Sequence, residues 1–146
     1  MFNKSIIAIA IIMCVSQVKA EECKITTVTS TKINQMIGGG LKIKNYDKIC
    51  LKMKAANASF FIDGSAFVLS NKSIGAATIM LRDNKLQIIA ADESRSQMKV
   101  YPDASQNVAD QAMFESIIEA INNIDIDKAL QDLDAARKMV KAAYNK

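Results

Sequence analysis

The chain has 146 residues, half of them hydrophobic, and a formal net charge of +4. That length suits one domain with a real core, and the composition excludes bulk disorder. It contains no histidine, which removes Ser-His-Asp and Cys-His triads and most zinc hydrolase designs.

The first stretch reads as an export signal. Lys4 precedes an apolar run, Ile6 to Val15, that is too short to span a bilayer. Val18-Lys19-Ala20 then places small residues before a cleavage point, and Glu21-Glu22 follow. The pattern predicts a signal peptide over 1–20 and a single exported domain over 21–146, periplasmic or secreted. An uncleaved membrane anchor is the alternative. Lipid attachment at Cys14 fits less well, because Ile11-Ile12-Met13 lack small residues. Cleavage removes Lys4 and Lys19, leaving 19 − 2 = 17 basic and 15 acidic groups, a net charge of +2. A nucleic-acid partner therefore loses its support. No later segment is apolar enough to cross a membrane. Cys23 and Cys50 remain as an even pair in an exported chain, so a structural disulfide is expected.

Cys23 to Ile33 is rich in threonine and favours an edge strand. The glycines 38–40 make a connector; a phosphate loop would lead into a helix through Lys-Ser or Lys-Thr. Leu41 to Lys44 and Ile49 to Ala55 alternate, with the turn Asn45–Lys48 between them. Period two predicts two strands with Leu41, Ile43, Ile49, Leu51 and Met53 on one face. Lys42, Lys44, Lys52 and Lys54 fall on the other face, which Cys50 shares, so the disulfide is expected on the outer side of the sheet.

The densest strand signal runs from Ser59 to Ala91. Asp63-Gly64 allows either a hairpin turn or one continuous strand with Gly64 at a bulge; the even positions Phe60, Ile62, Ala66 and Val68 favour the single strand. Asp83-Asn84 fits a two-residue hairpin loop. That register sets Leu81 opposite Leu86, Ile79 opposite Ile88 and Met80 opposite Gln87. Asp92 to Ser96 is loop-like. Gln97 to Tyr101 makes a last strand, with Met98 and Val100 as its apolar side, and Pro102 ends it.

The period then changes to about 3.6. Asp103 is placed to cap a helix, with Gln106 three residues on. Val108, Ala112 or Met113, Ile117, Ala120, Ile121 and Ile124 form one stripe; Ile126, Leu130, Leu133, Val140 and Tyr144 form a second. Asn122-Asn123 separates them, Asp125 caps the second helix, and Asp134 and Lys138 suit an i, i+4 pair. The expected fold is α+β: an antiparallel meander of five to seven strands over about 23–101, followed by a two-helix hairpin over about 103–145 packed on one face.

Chemistry is sparse. Asp63, Asp83, Asp92 and Glu93 are the candidate carboxylates for a hydrolase pair, but all sit where turns favour aspartate. Thr29 and Lys32 have the spacing of a Ser-Lys type pair, yet on a strand they point to opposite faces. The methionines show no tight Met-x-x-Met cluster, so core filling explains them better than copper. No catalytic, metal or cofactor site is expected. What stands out is charge segregation: lysines crowd the first strands and acids crowd the helices. Lys42, Lys44, Lys52 and Lys54 are therefore the candidate binding residues for a protein partner with an acidic surface. The expected class is a small non-enzymatic binding protein of the bacterial envelope, of inhibitor, immunity, exclusion or assembly-accessory type; the alternative is a small exported hydrolase.

Overall fold

From Ala58 onward, alternation in the sequence becomes alternation across a sheet. The structure, a computed structural model, describes residues 23–38 and 40–144. The expected signal peptide, Cys14 included, lies outside the described residues. Eight elements follow in order: β1 (Thr27–Val28), α1 (Thr31–Ile37), α2 (Tyr46–Ala55), β2 (Ala58–Leu69), β3 (Lys72–Asp83), β4 (Ile89–Tyr101), α3 (Gln106–Asn123) and α4 (Ile126–Tyr144). The sheet has four strands in the order β1-β2-β3-β4. β2, β3 and β4 form an antiparallel meander, while β1 pairs parallel to β2. The α+β class holds; the purely antiparallel sheet does not. A parallel neighbour needs a crossover, and α1 and α2 supply it.

The crossover is where period two misled. Ile49 to Ala55 is not a strand: it lies in α2, where Cys50 and Met53 are buried, Tyr46 and Ile49 pack against the core, and Leu51 is 62% exposed. Positions 46, 49, 50 and 53 follow helical spacing. Leu41 to Lys44 is not a strand either. The Cys23–Ile33 strand shrinks to Thr27–Val28, because Ser30 caps α1 by accepting from the Ile33 amide at 3.4 Å. Ile33 and Ile37 are the buried residues of that helix. The disulfide is present, Cys23 to Cys50, with Cα atoms 6.0 Å apart. It ties the chain before β1 to the buried side of α2, not to the outside of a sheet.

Asp63-Gly64 sits inside one continuous, unbulged β2, with Gly64 opposite Ala77. A Cβ at Gly64 would stand 2.9 Å from Ile33 Cδ1, so its glycine admits the α1 side chain. The next turn is wider than a two-residue hairpin. The Asp83 carboxylate accepts from the amides of Lys85 and Leu86, Gln87 adopts φ 58°, and the Asp83 amide donates to the Ile88 carbonyl. Leu81 consequently pairs with Ala90, not Leu86, and Ile79 with Arg95, not Ile88. The expected loop at Asp92 to Ser96 is strand: β4 runs through it, with an irregularity opposite Ile79–Leu81. Glu93 keeps the parity of Arg95 and Lys99, on the side facing the helices, and the bulge brings Ala90 onto that side opposite Leu81.

On β3 every second residue is buried: Ser73, Gly75, Ala77, Ile79, Leu81 and Asp83. Ala58, Phe60 and Ile62 of β2 are buried as well, and Phe60 and Ile62 pair with Leu81 and Ile79. α3 makes contacts along β2, β3 and β4, and α4 along β4 and β3. α3 comes so near β3 that the Ser116 hydroxyl donates to the Gly75 carbonyl at 3.0 Å. The cap of α3 is Ser105, not Asp103; the Asp103 carbonyl instead accepts from Ser73 Oγ. Asp125 caps α4 as expected, accepting from the Lys128 amide. Asp134 pairs with Arg137 rather than Lys138. The first stripe is the buried one, from Ala109 to Ile121, whereas the second stops at Leu133 and leaves Tyr144 86% exposed.

Candidate binding surface

The most distinctive surface is the side of the sheet opposite the buried rows. The register defines it residue by residue. One row across the strands is Asp63–Thr78–Ser96, the next is Ser65–Ala76–Met98, the next Phe67–Ile74–Val100, and the last Leu69–Lys72. Phe67, Leu69, Met98 and Val100 are 55, 48, 64 and 48% exposed. An antiparallel sheet covered on one side normally turns polar residues outward. Together these four side chains expose an apolar patch on the order of 400 Å², the size at which such patches tend to be functional.

β4 makes the inversion plain. Met98 and Val100, the apolar side of the strand, face outward. Lys99 and Tyr101 face α3, where Lys99 Nζ lies 3.0 Å from Glu119 and the Tyr101 hydroxyl donates to Glu115 at 2.5 Å. The Tyr101 bond, followed by one from Gln111, holds the Glu115 carboxyl below its usual range, and the Glu115 carboxylate raises the Tyr101 phenol. The Glu119 hydrogen bond raises Lys99. A one-residue slip would exchange the two sides of the strand, so these contacts fix which side is apolar and open. Charges on that open face are few. The side chains of Asp63 and Lys72 make no hydrogen bond or ion pair among the described residues, while Thr78 and Ser96 bond each other at 2.8 Å.

The lysines chosen from the sequence do not share a sheet face. Lys42 and Lys44 are exposed in the segment before α2, and Lys52 and Lys54 lie on α2. Two residues apart on a helix point to different sides. Lys52 forms an ion pair with Asp127 in the first turn of α4, and its hydrogen bond holds the Asp127 carboxyl below its usual range. Lys32 on α1 lies 2.6 Å from Asp110 on α3. Part of the segregated charge is thus neutralised inside the chain. Lys44 also borders an open groove of about 430 Å³ with Phe114, Ile118 and Asn122. The groove's acids, Glu115 and Glu119, already hold Tyr101 and Lys99.

The candidate hydrolase carboxylates are dispersed. Asp83 is buried and is bound by the Arg137 guanidinium at 2.5 Å. Burial pulls its carboxyl upward, but hydrogen bonds from the Leu86 amide, Arg137 and the Lys85 amide together hold it below its usual range. Glu93, 2% exposed, sits 2.8 Å from both Lys128 and Arg95. The Lys128 hydrogen bond is the main cause of its lowered carboxyl, against the opposing pull of burial. Asp63 lies on the open sheet face, and Asp92 is exposed on β4. None of the four lines a described cavity. Among the described residues no helix is long and apolar enough to cross a membrane, and no cluster of side chains could hold a metal.

No protein-family model matches the chain, and no curated protein matches it. Among solved structures, a "putative lipoprotein" from Caulobacter crescentus matches at 13% identity, over 81% of this chain and 91% of that one, with a TM-score of 0.27. A superposition that loose carries no inference about the present chain.

Proposed function

We propose that this is a small exported binding protein of the bacterial envelope that works through protein–protein contact at the open face of its sheet. The carrying observation is the exposed apolar patch of Phe67, Leu69, Met98 and Val100, on the side of the sheet away from the buried rows. In this reading both C-terminal helices lie on the buried side and leave the other side for a partner. The disulfide suits an oxidising compartment, and the signal-like sequence at 1–20 suits the same destination. Lys42, Lys44, Lys52 and Lys54 have a secondary part, as a source of positive potential that draws in an acidic protein without defining the contact. With Lys52 answering Asp127, that steering falls mainly on Lys42 and Lys44.

The test is site-specific photo-crosslinking in envelope preparations, with the reactive residue at Phe67 or Met98. Met139, exposed on α4, is the control position. Protein adducts at 67 and 98 in excess of those at 139 are expected. Equal yields at all three positions would defeat the proposal. Replacing Lys42, Lys44, Lys52 and Lys54 by Gln should slow association at low salt and leave the adduct pattern unchanged.

A further inference from the structure

The open face is not merely apolar; its rows complement one another. We propose that the partner at this face is a second copy of the chain, joined sheet to sheet about a two-fold axis lying in the interface. The axis runs across the strands, midway between the Ser65–Ala76–Met98 row and the Phe67–Ile74–Val100 row. This deepens the reading of the face as a protein-docking surface and rests on it; a second copy is itself net basic, so it takes the place of the acidic partner at this face and owes nothing to steering by Lys42 and Lys44.

A two-fold in that position exchanges the two rows. Phe67 of one copy then lies over Ser65 of the other, and Ile74 lies over Ala76. On β4, Val100 meets Met98, whose flexible thioether fills irregular gaps. Large side chains therefore face small ones, which lets two sheets interdigitate at about 10 Å. The same operation carries the Asp63–Thr78–Ser96 row over the Leu69–Lys72 row. Asp63 comes to rest over Leu69 of the other copy, one strand spacing, about 4.8 Å, from Lys72 of that copy. Neither side chain has a hydrogen-bond or ion-pair partner among the described residues. The symmetry repeats the pair, so two Asp63–Lys72 bridges flank an apolar centre. That is the pattern an isologous interface requires, each residue meeting its counterpart reciprocally.

The area is consistent with a reversible dimer. The four exposed apolar side chains contribute on the order of 400 Å² per copy. With Ser65, Ile74, Ala76 and the flanking charges, two copies bury roughly 1,000–1,200 Å², the low end for specific interfaces. A dissociation constant in roughly the micromolar range is expected, so the monomer remains accessible at low concentration.

The purified protein should be examined by sedimentation velocity from about 1 to about 500 µM. A concentration-dependent shift from monomer to dimer is expected. Asp63→Lys and Lys72→Asp should each weaken dimerisation by about tenfold, because each sets like charges across the axis. The double variant D63K/K72D should restore it. Met98→Glu should abolish it while far-UV circular dichroism stays unchanged, since the side chain is exposed. A monomer at every concentration would overturn the dimer. So would a dimer indifferent to both charge swaps, or one that the double swap fails to rescue. Photo-adducts at Phe67 and Met98 with a different protein, from a chain that stays monomeric, would overturn the second copy while leaving the docking face in place.

Discussion

Replacing Gly75 by alanine tests the close approach of α3 to β3. A Cβ built there stands 1.9 Å from the Met113 amide nitrogen, 2.2 Å from the Ala112 carbonyl carbon and 2.6 Å from Met113 Cα. All three are backbone atoms of α3, so no side chain can rotate away. Reaching an ordinary contact of 3.4 Å requires the helix to withdraw by about 1.5 Å. The overpacking costs about 1–3 kcal/mol. The withdrawal also breaks the bond from Ser116 to the Gly75 carbonyl, a further loss of about 1 kcal/mol. Reduced freedom of the unfolded chain returns about 0.5–1 kcal/mol. The net expectation is a loss of about 1–3.5 kcal/mol. In urea denaturation, with a slope of about 2 kcal/mol per molar, the midpoint should fall by roughly 0.5–2 M. Gly64→Ala is the internal comparison, because its new Cβ meets the mobile ends of Ile33 and Met113 at 2.9 and 3.2 Å. A Gly75→Ala loss below about 1 kcal/mol, or a larger loss from Gly64→Ala, would refute the close-contact argument.

Three further outcomes are expected. Arg137→Met should cost about 3 kcal/mol at neutral pH by stranding the buried Asp83 carboxylate. The folded state holds the Asp83 carboxyl below its unfolded value, so its contribution is present above about pH 4 and fades as pH falls through the lower folded value. The gap between wild type and Arg137→Met should therefore narrow in acid; equal unfolding midpoints at pH 7 would contradict this. Replacing Cys23 and Cys50 together by serine opens a loop with a sequence separation of 27 and should cost about 3–4 kcal/mol in chemical denaturation. Tyr101→Phe removes the donor that chiefly lowers Glu115, so the Glu115 carboxyl should titrate higher by NMR; an unmoved titration would mean that bond is not formed in solution.

Legibility in the sequence followed the physics of each segment. β3 and α3 were readable because one face of each is buried over its length, and the first half of β2 because Ala58, Phe60 and Ile62 are buried, which imprints a period on the residues. α2 was not, because its ten residues carry an alternating accident: Ile49, Leu51 and Met53 against Cys50, Lys52 and Lys54. Tyr46 packing on the core with Ile49, Cys50 and Met53 was the missed signal, at helical spacing. The length of β4 was hidden by its bulge, where Asp92 and Glu93 resemble a loop although Glu93 is buried by two cations. The open face was the largest omission. Met98 and Val100 were legible as the apolar side of a strand, but a single chain does not reveal that the polar side finds its partners on α3. The disulfide was legible from counting and compartment alone.

That disulfide also shortens the path along which the sheet must assemble. Thr27 and Phe60 pair in parallel although 33 residues separate them on the backbone. Through the Cys23–Cys50 bridge the covalent route runs back from 27 to 23, then on from 50 to 60, less than half the distance. Closing a shorter loop costs less entropy, and pairings of low effective separation form sooner. In the oxidised chain the edge strand therefore arrives as a near neighbour of β2. In the reduced chain it must be recruited from afar, after the meander that needs no such help.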